Sequence, residues 1–189
     1  NLKYYRGKTA YMAVKDFFGK DQIEKLVLKN EYETTFSDKI EDINWYAEAF
    51  ELKNNQNISF NDGTIFIKSN RLVDKFSINA GSDAFVVADG RGGKLAADVV
   101  YIYNEDINHS NIGQNHLYAG KLHEVVENKL MLRDFFILDK NEWESFDDDK
   151  ELYYDNDTYI YDLEEGKRLT PEEFYSLHYS IDEDSRSSR

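Results

Sequence analysis

The side chains that could do chemistry in this chain are mostly carboxylates, and they crowd near its end. Asp147, Asp148 and Asp149 run consecutively, and Asp155, Asp157 and Asp162 follow. Calcium takes six to eight oxygens from carboxylates and carbonyls, so Asp155, Asp157 and Asp162 are the candidate ligands for a calcium ion. Their spacing departs from the EF-hand loop, which needs a glycine and a closing glutamate at set positions. The same residues also read as Asx turns around a strand, in which the side chain accepts from the backbone two residues on. Aromatic rings are the second resource. Tyr159 and Tyr161 flank Ile160, so alternation puts both rings on one strand face. With Trp143 and Trp45 they are the candidate ligand-binding residues, a surface for stacking on sugar rings or bases. Against this stands the reading that such a face packs on a neighbouring copy, because tandem domains need aromatic contact area.

Other chemistries find no footing. There is no cysteine, which removes disulfides, thiol nucleophiles and thiolate metal sites. His109, His116, His123 and His178 form no metal-binding pair with a third ligand in view. A nucleophile elbow of the G-x-S-x-G type is absent. Arg91-Gly92-Gly93 reads as a hairpin tip rather than a phosphate-binding loop. Carboxylate pairs occur throughout so acidic a chain and discriminate nothing. The expectation is a protein that is not an enzyme and needs no cofactor, with calcium as the one candidate ion.

The elements that must position these residues are strands. Hydrophobic residues make up 41% of the 189, enough for a core, and the aromatic share of 15% favours pleated, half-buried surfaces. The net charge of -14 repels phosphate backbones, so no nucleic-acid partner is expected. No apolar run approaches the roughly 20 residues of a membrane helix, so no membrane insertion is expected. The chain opens on Asn1 without a targeting segment and closes on the polar run 182–189. Both ends are expected to be cut from something longer.

An internal repeat organises the chain. Gly7-Lys8 with the strand Thr9 to Val14 aligns with Gly120-Lys121 and Leu122 to Val126. Ile23–Leu28 aligns with Asn128–Arg133, Trp45 with Trp143, Asp62–Ile67 with Asn156–Tyr161, and Arg71–Phe76 with Arg168–Phe174. Each copy reads as three strands and a short helix. In the second copy Thr170, Pro171 and Glu173 form a capping box, with Phe174 and Leu177 on one face. In the first copy the helix is expected over 69–78, with Leu72, Val73 and Phe76 inward. Copy one then continues into a hairpin of Ala84–Ala88 and Val99–Tyr103. That order is the order of an OB-fold, a five-stranded Greek-key barrel. The predicted fold is therefore mainly β: tandem OB-like small barrels, each with one short helix, the second incomplete. The predicted divisions are a first repeat over 1–104, a linker over 105–115, a second repeat over 116–181 and a tail over 182–189. An incomplete barrel leaves open edges, which a segment beyond Arg189, strands of the first copy or another chain must fill.

The second copy resembles the β-barrel repeats of surface-layer and other cell-wall-attached proteins of clostridia and related bacteria. The resemblance lies in Gly120-Lys121-Leu122, Leu130 to Leu138, Asn141-Glu142-Trp143 and Thr158 to Tyr161, over residues 117–177. It implies a structural or assembly module of a bacterial cell surface, located outside the cell or in its envelope. Its implied partners are other surface-protein domains, further copies of itself, or cell-wall glycan. The alternative is a carbohydrate- or protein-binding module that uses an aromatic barrel face.

Overall fold

The computed structural model describes residues 5, 7–17, 19–29, 33–91, 94–103, 115–139 and 142–175. They are mainly β, as expected. Fourteen strands form two seven-stranded sheets. The first sheet contains β1 (Thr9–Phe17), β2 (Lys20–Leu28), β10 (Asn115–Val126), β11 (Lys129–Asp139), β12 (Glu142–Tyr153), β13 (Tyr159–Asp162) and β14 (Lys167–Leu169). The second contains β3 (Glu33–Asn44), β4 (Ala49–Leu52), β5 (Asn57–Ser59), β6 (Ile65–Lys68), β7 (Arg71–Val73), β8 (Asp83–Arg91) and β9 (Lys94–Tyr103). A 3-10 turn, Lys75–Ser77, follows β7, and a short helix occupies 171–175 after β14.

Pairing returns on itself in both sheets. In the second, β4, β3, β8 and β9 pair in turn, and β9 closes onto β5 in parallel through Ser59↔Ala96. In the first, β11, β10, β1 and β2 do the same, and β2 closes onto β12 in parallel through Tyr153↔Gln22. Each ring carries a parallel strand and hairpin on its last member: β6–β7 on β9, and β13–β14 on β2. The two rings are the same structure, but the first is permuted. Its closing hairpin, β1–β2, comes from the start of the chain. The registers show this in detail. β1–β2 is bulged at Ala13/Val14, and β8–β9 at the matching Val87/Ala88. β10–β11 is bulged at Leu122/Glu124, and β3–β4 at the matching Ile40/Asp42. The turns before β6 and β13 share one bonding scheme. Thr64 Oγ1 donates to Ala97 O and Thr158 Oγ1 to Ile23 O, both at 2.7 Å, and each hydroxyl accepts an amide three residues back at 3.0 Å.

This arrangement changes several sequence expectations. Strands within 1–104 divide between the two sheets, because β1 and β2 belong with β10–β14. The second copy is not left open; strands from the start of the chain fill it. Thr9–Val14 and Leu122–Val126 are not repeat equivalents but neighbours in one ring, with Thr9 opposite Lys121. Trp45 lies in the β3–β4 turn and Trp143 at the start of β12, so they do not correspond either. Of the last two blocks, Asp62–Ile67 and Asn156–Tyr161 correspond, but Arg71–Phe76 and Arg168–Phe174 are out of step: the hairpin registers match Arg71 with Lys167 and Val73 with Leu169, and the helix caps Asp74 and Thr170 set Phe76 level with Glu172. The helix expected over 69–78 is a strand and a 3-10 turn. Ser69 and Asn70 adopt positive φ (53° and 58°), the backbone of a tight hairpin that pairs Lys68 with Arg71. Phe76 is consequently exposed rather than inward. The capping box is as expected: Glu173 N donates to Thr170 Oγ1 at 3.1 Å, and Phe174 is fully buried. Leu177, nearly all of the linker 105–115 and the tail 182–189 lie outside the described residues; Asn115 opens β10.

Each ring encloses its own core, and alternation along the strands sets a third cluster between the rings. Met12, Leu26, Leu132, Leu152 and Phe174 fill the first ring; Val86, Val100, Leu52, Ile58 and Ile78 fill the second. Tyr11, Ala13 and Val27 then meet Phe85, Val87, Val99, Ile65 and Ile67 between them. Tyr11 and Phe85 occupy matching register positions, as do Ala13 and Val87, so the copies meet through the same outer face. Among the described residues no helix is long and apolar enough to cross a membrane.

Residues 33–103 hold a whole ring and are expected to fold alone. Residues 115–175 are expected to stay unfolded alone, because their outer strands would be open edges, and to fold when 5–29 are joined behind them. Near-ultraviolet circular dichroism and thermal melting of the three polypeptides check this. Cooperative melting of 115–175 alone would contradict the permuted assignment.

Candidate functional site

The two rings serve as controls for each other, because what one needs to close, the other shows how to do without. In the second ring, residues 53–56 suffice to join β4 to β5. At the same place in the first ring the chain runs on from 133 to 150, since Glu51↔Asn57 matches Met131↔Glu151. The extra length extends β11 and β12 into a paired arm, in register from Phe135↔Phe146 to Asp139↔Glu142. Closing a ring does not require it. Asp134, at a positive φ of 53°, marks the bulge at the root of the arm, which stays paired with β10 from Ala119↔Phe136 to Leu117↔Leu138.

The arm brings Trp143 back over the junction of the two rings. Its indole packs against Tyr11 (6.1 Å between centroids) and edge-on against Phe85 (6.4 Å) and Phe136 (6.5 Å). A cleft of about 540 Å³ opens beside it. Tyr11, Phe136 and Trp143 supply apolar surface, while Lys121, Arg133, Asp134 and Glu33 supply polar groups. Two cations and two carboxylates leave the cleft without net charge in a chain of -14. Arg133 is held by Asp149 (3.6 Å) and by His123 Nε2 (2.9 Å). Glu33 accepts from the Tyr11 hydroxyl and pairs with Lys29 at 2.9 Å. Burial, with the Glu33 hydrogen bond next, pushes the Tyr11 phenol far up, so it stays a neutral donor. Arg133, Glu33 and the Tyr11 hydroxyl are thus held before any ligand arrives.

Behind Tyr11 lies an unusual pair. Asp98 and Asp89 are 0% and 2% exposed, and the Asp98 carboxyl rests on that of Asp89. Burial first, then the Asp89 hydrogen bond and charge, hold Asp98 well above the ordinary carboxylate range; Lys29 opposes this and Glu33 adds to it. In the first ring the matching positions are Lys15 and Glu24, a partly exposed ion pair at 3.9 Å. Neither aspartate lines the cleft, but the charge of both bears on Tyr11, which does.

The residues singled out from sequence scatter. Asp155 and Asp157 belong to the turn before β13, where Asp155 Oδ1 accepts from Asp157 N at 2.9 Å. Asp162 lies at the far end of β13 and accepts from Tyr5 Oη (3.0 Å) and the amides of Glu164 and Glu165. These are turn acceptors, and among the described residues no three carboxylates or imidazoles are grouped to hold a metal ion. Tyr159 carries Lys25 Nζ at 4.9 Å and Arg168 at 4.4 Å over its ring. Tyr161 lies flat on Gly63, where a Cβ would stand 2.1 Å from the ring. Tyr161 thus packs between the copies, whereas Tyr159 is covered by two cations of its own ring, Lys25 of β2 and Arg168 of β14. Beside them Lys25 donates to Thr64 O at 2.8 Å, and burial lowers its amine to about 8. Trp143 reaches the cleft; Trp45 stands apart on the second ring. Sequence reading weighs Tyr11 among the aromatics that could form a sugar platform, but it missed Glu33, Lys121, Arg133 and Phe136, which come from three separate strands. It also missed Asp98, although an aspartate inside the apolar run Leu95 to Tyr103 was a visible signal. Comparison with protein-family models, curated proteins and solved structures returned no match.

The acid pair fixes a pH dependence. The folded chain keeps a proton on Asp98 that the unfolded chain releases near an ordinary pKa of about 4. Its contribution is therefore most favourable at low pH and is lost as pH rises towards the raised folded value. Asp98→Asn, neutral at every pH, is expected to flatten that slope and to raise stability at pH 8 by roughly 1–3 kcal/mol. Urea unfolding at pH 5 and pH 8 measures it. An equal loss at both pH values would show that the ionisation of Asp98 carries no such cost.

Proposed function

We propose that this chain is a non-catalytic carbohydrate-binding module, taking a neutral oligosaccharide in the cleft beneath the β11–β12 arm. The observation that carries the reading is the arm itself. It is dispensable for closing the ring, yet it delivers Phe136 and Trp143 beside Tyr11. Aromatic surface stacks on the apolar faces of sugar rings, while fixed carboxylate and guanidinium groups read pairs of hydroxyls. The balanced charge of the cleft favours a neutral ligand, and the charge of the chain disfavours nucleic acid. This reading takes each ring as OB-like, and in such barrels the face of the second and third strands takes oligosaccharides. Counted from β10, those strands are β11 and β12. A bacterial cell-surface setting, proposed from the acidity, the missing cysteines and the surface-layer resemblance, supplies glycan as the neighbouring polymer.

A panel of soluble neutral polysaccharides tested by calorimetry and affinity electrophoresis examines this. At least one is expected to bind, and Trp143→Ala is expected to weaken it about tenfold or more, ~1.4 kcal/mol. Glu33→Gln is expected to weaken it less, because Tyr11 keeps an acceptor. Binding indifferent to Trp143→Ala, or no binding by any member of the panel, would remove the cleft as a sugar site.

A further inference from the structure

A second aromatic surface lies on the other ring. Trp45 (43% exposed), Tyr46 (100%) and Phe76 (69%) are three of the four large hydrophobic side chains exposed among the described residues, and all belong to one place. Trp45 and Tyr46 form the β3–β4 turn, and Phe76 comes from the 3-10 turn beside it. The rings of Trp45 and Phe76 are already arranged, with Tyr46 fully exposed beside Trp45 in the chain. Trp45 leans on Phe76 (5.6 Å, 32°) and stands edge-on to the buried Phe60 (6.1 Å, 72°). Asn44 Oδ1 accepts from Ala47 N at 3.0 Å and fixes the turn, while Asp74 Oδ1 accepts from Phe76 N at 3.0 Å and fixes the other side. Lys75 ties the two together through Glu48 at 3.1 Å.

The fold does not need these rings. The first ring makes the matching turn with Glu127 and Asn128 alone, between the paired Val126 and Lys129. Two positions after its helix cap, where Phe76 stands, it has the exposed Glu172. Two copies of one barrel thus put polar residues and exposed aromatics at the same place. Exposed rings cost solubility, and the mutual packing of Trp45 and Phe76 beside the exposed Tyr46 points to a ligand.

We propose that Trp45, Tyr46 and Phe76 form a second, independent site for a neutral carbohydrate chain, so that the module grips glycan at two places. Area and charge select this occupant. Three rings with these exposures offer roughly 400 Å², taking 150–250 Å² for each aromatic side chain. That is about half of the roughly 800 Å² per partner that a stable protein interface buries, and it suits one or two pyranose rings. Two cations of the described residues reach the patch, and both are engaged: Lys75 pairs with Glu48 at 3.1 Å and Lys68 donates to Ser77 O at 3.0 Å, which favours a neutral ligand. Two weak sites on one polymer also raise avidity without any new contact.

The two tryptophans separate the two sites. Trp143→Phe leaves Trp45 as the sole indole, and Trp45→Phe leaves Trp143. Each protein is titrated with cello-, xylo- and chitohexaose while indole emission is followed. In Trp143→Phe, at least one hexaose is expected to shift Trp45 emission saturably, with a midpoint in the millimolar range. Adding Phe76→Ala or Tyr46→Ala is expected to weaken that response at least fivefold; both residues are exposed, and an unchanged melting temperature confirms the fold. A Trp45 response with Trp143 silent would sustain this site and remove the cleft reading. A Trp143 response with Trp45 silent to about 10 mM sugar would overturn this site alone. Self-association abolished by Phe76→Ala, seen by sedimentation, would overturn it too and assign the patch to a second copy of the chain.

Discussion

A strand at the edge of a sheet leaves a row of backbone donors and acceptors unmet, and the whole architecture follows from how this chain meets them. The C-terminal half supplies only β10, β11 and β12 to its ring, with β13 and β14 alongside. The β1–β2 hairpin completes it, paired with β10 on one side and with β12 and β13 on the other. Its inward residues, among them Met12, Ile23 and Leu26, fill the first core, while Tyr11, Ala13 and Val27 face the second ring. One hairpin therefore closes a barrel and makes half of the junction between barrels. The cleft depends on that junction, since Tyr11 forms its floor and holds Glu33.

Duplication with permuted connectivity turns one half of the molecule into a reference for the other. Bulges, parallel closures and the Thr64 and Thr158 turns coincide, so these are what the fold demands. The differences are then informative. The arm carrying Trp143 exists in one copy, the Trp45 platform in the other, and the Asp89–Asp98 pair replaces a Lys–Glu pair. A buried pair of acids is costly unless it shares a proton. Its place behind Tyr11 means that the interface beneath the cleft carries a proton-dependent charge.

Much of the fold was legible because strand patterning is local. The Ala84–Tyr103 hairpin, the capping box at Thr170 and the correspondence of Asp62–Ile67 with Asn156–Tyr161 all rest on short-range chemistry. The permutation was not legible, because neighbouring strands of one barrel share a pattern as readily as repeated strands do. Gly7-Lys8 and Gly120-Lys121 resemble each other across a ladder, not across a duplication. The helix expected at 69–78 failed on two residues, Ser69 and Asn70, whose positive φ no periodicity reveals. Of the candidate site only the aromatics Tyr11 and Trp143 were visible beforehand. Tyr11, Glu33, Lys121 and Arg133 become neighbours only once the β1–β2 hairpin has crossed to the far end of the chain.

Native-state hydrogen exchange tests the central claim most directly, because amides that open together belong to one cooperative unit. If β1–β2 closes the C-terminal ring, the amides of Met12, Val14 and Leu26 exchange with the same opening free energy and denaturant dependence as those of Leu117, Leu132 and Leu152. Exchange of β1 and β2 in step with Val86 and Val100 of the second ring, while β10–β12 open separately, would contradict it.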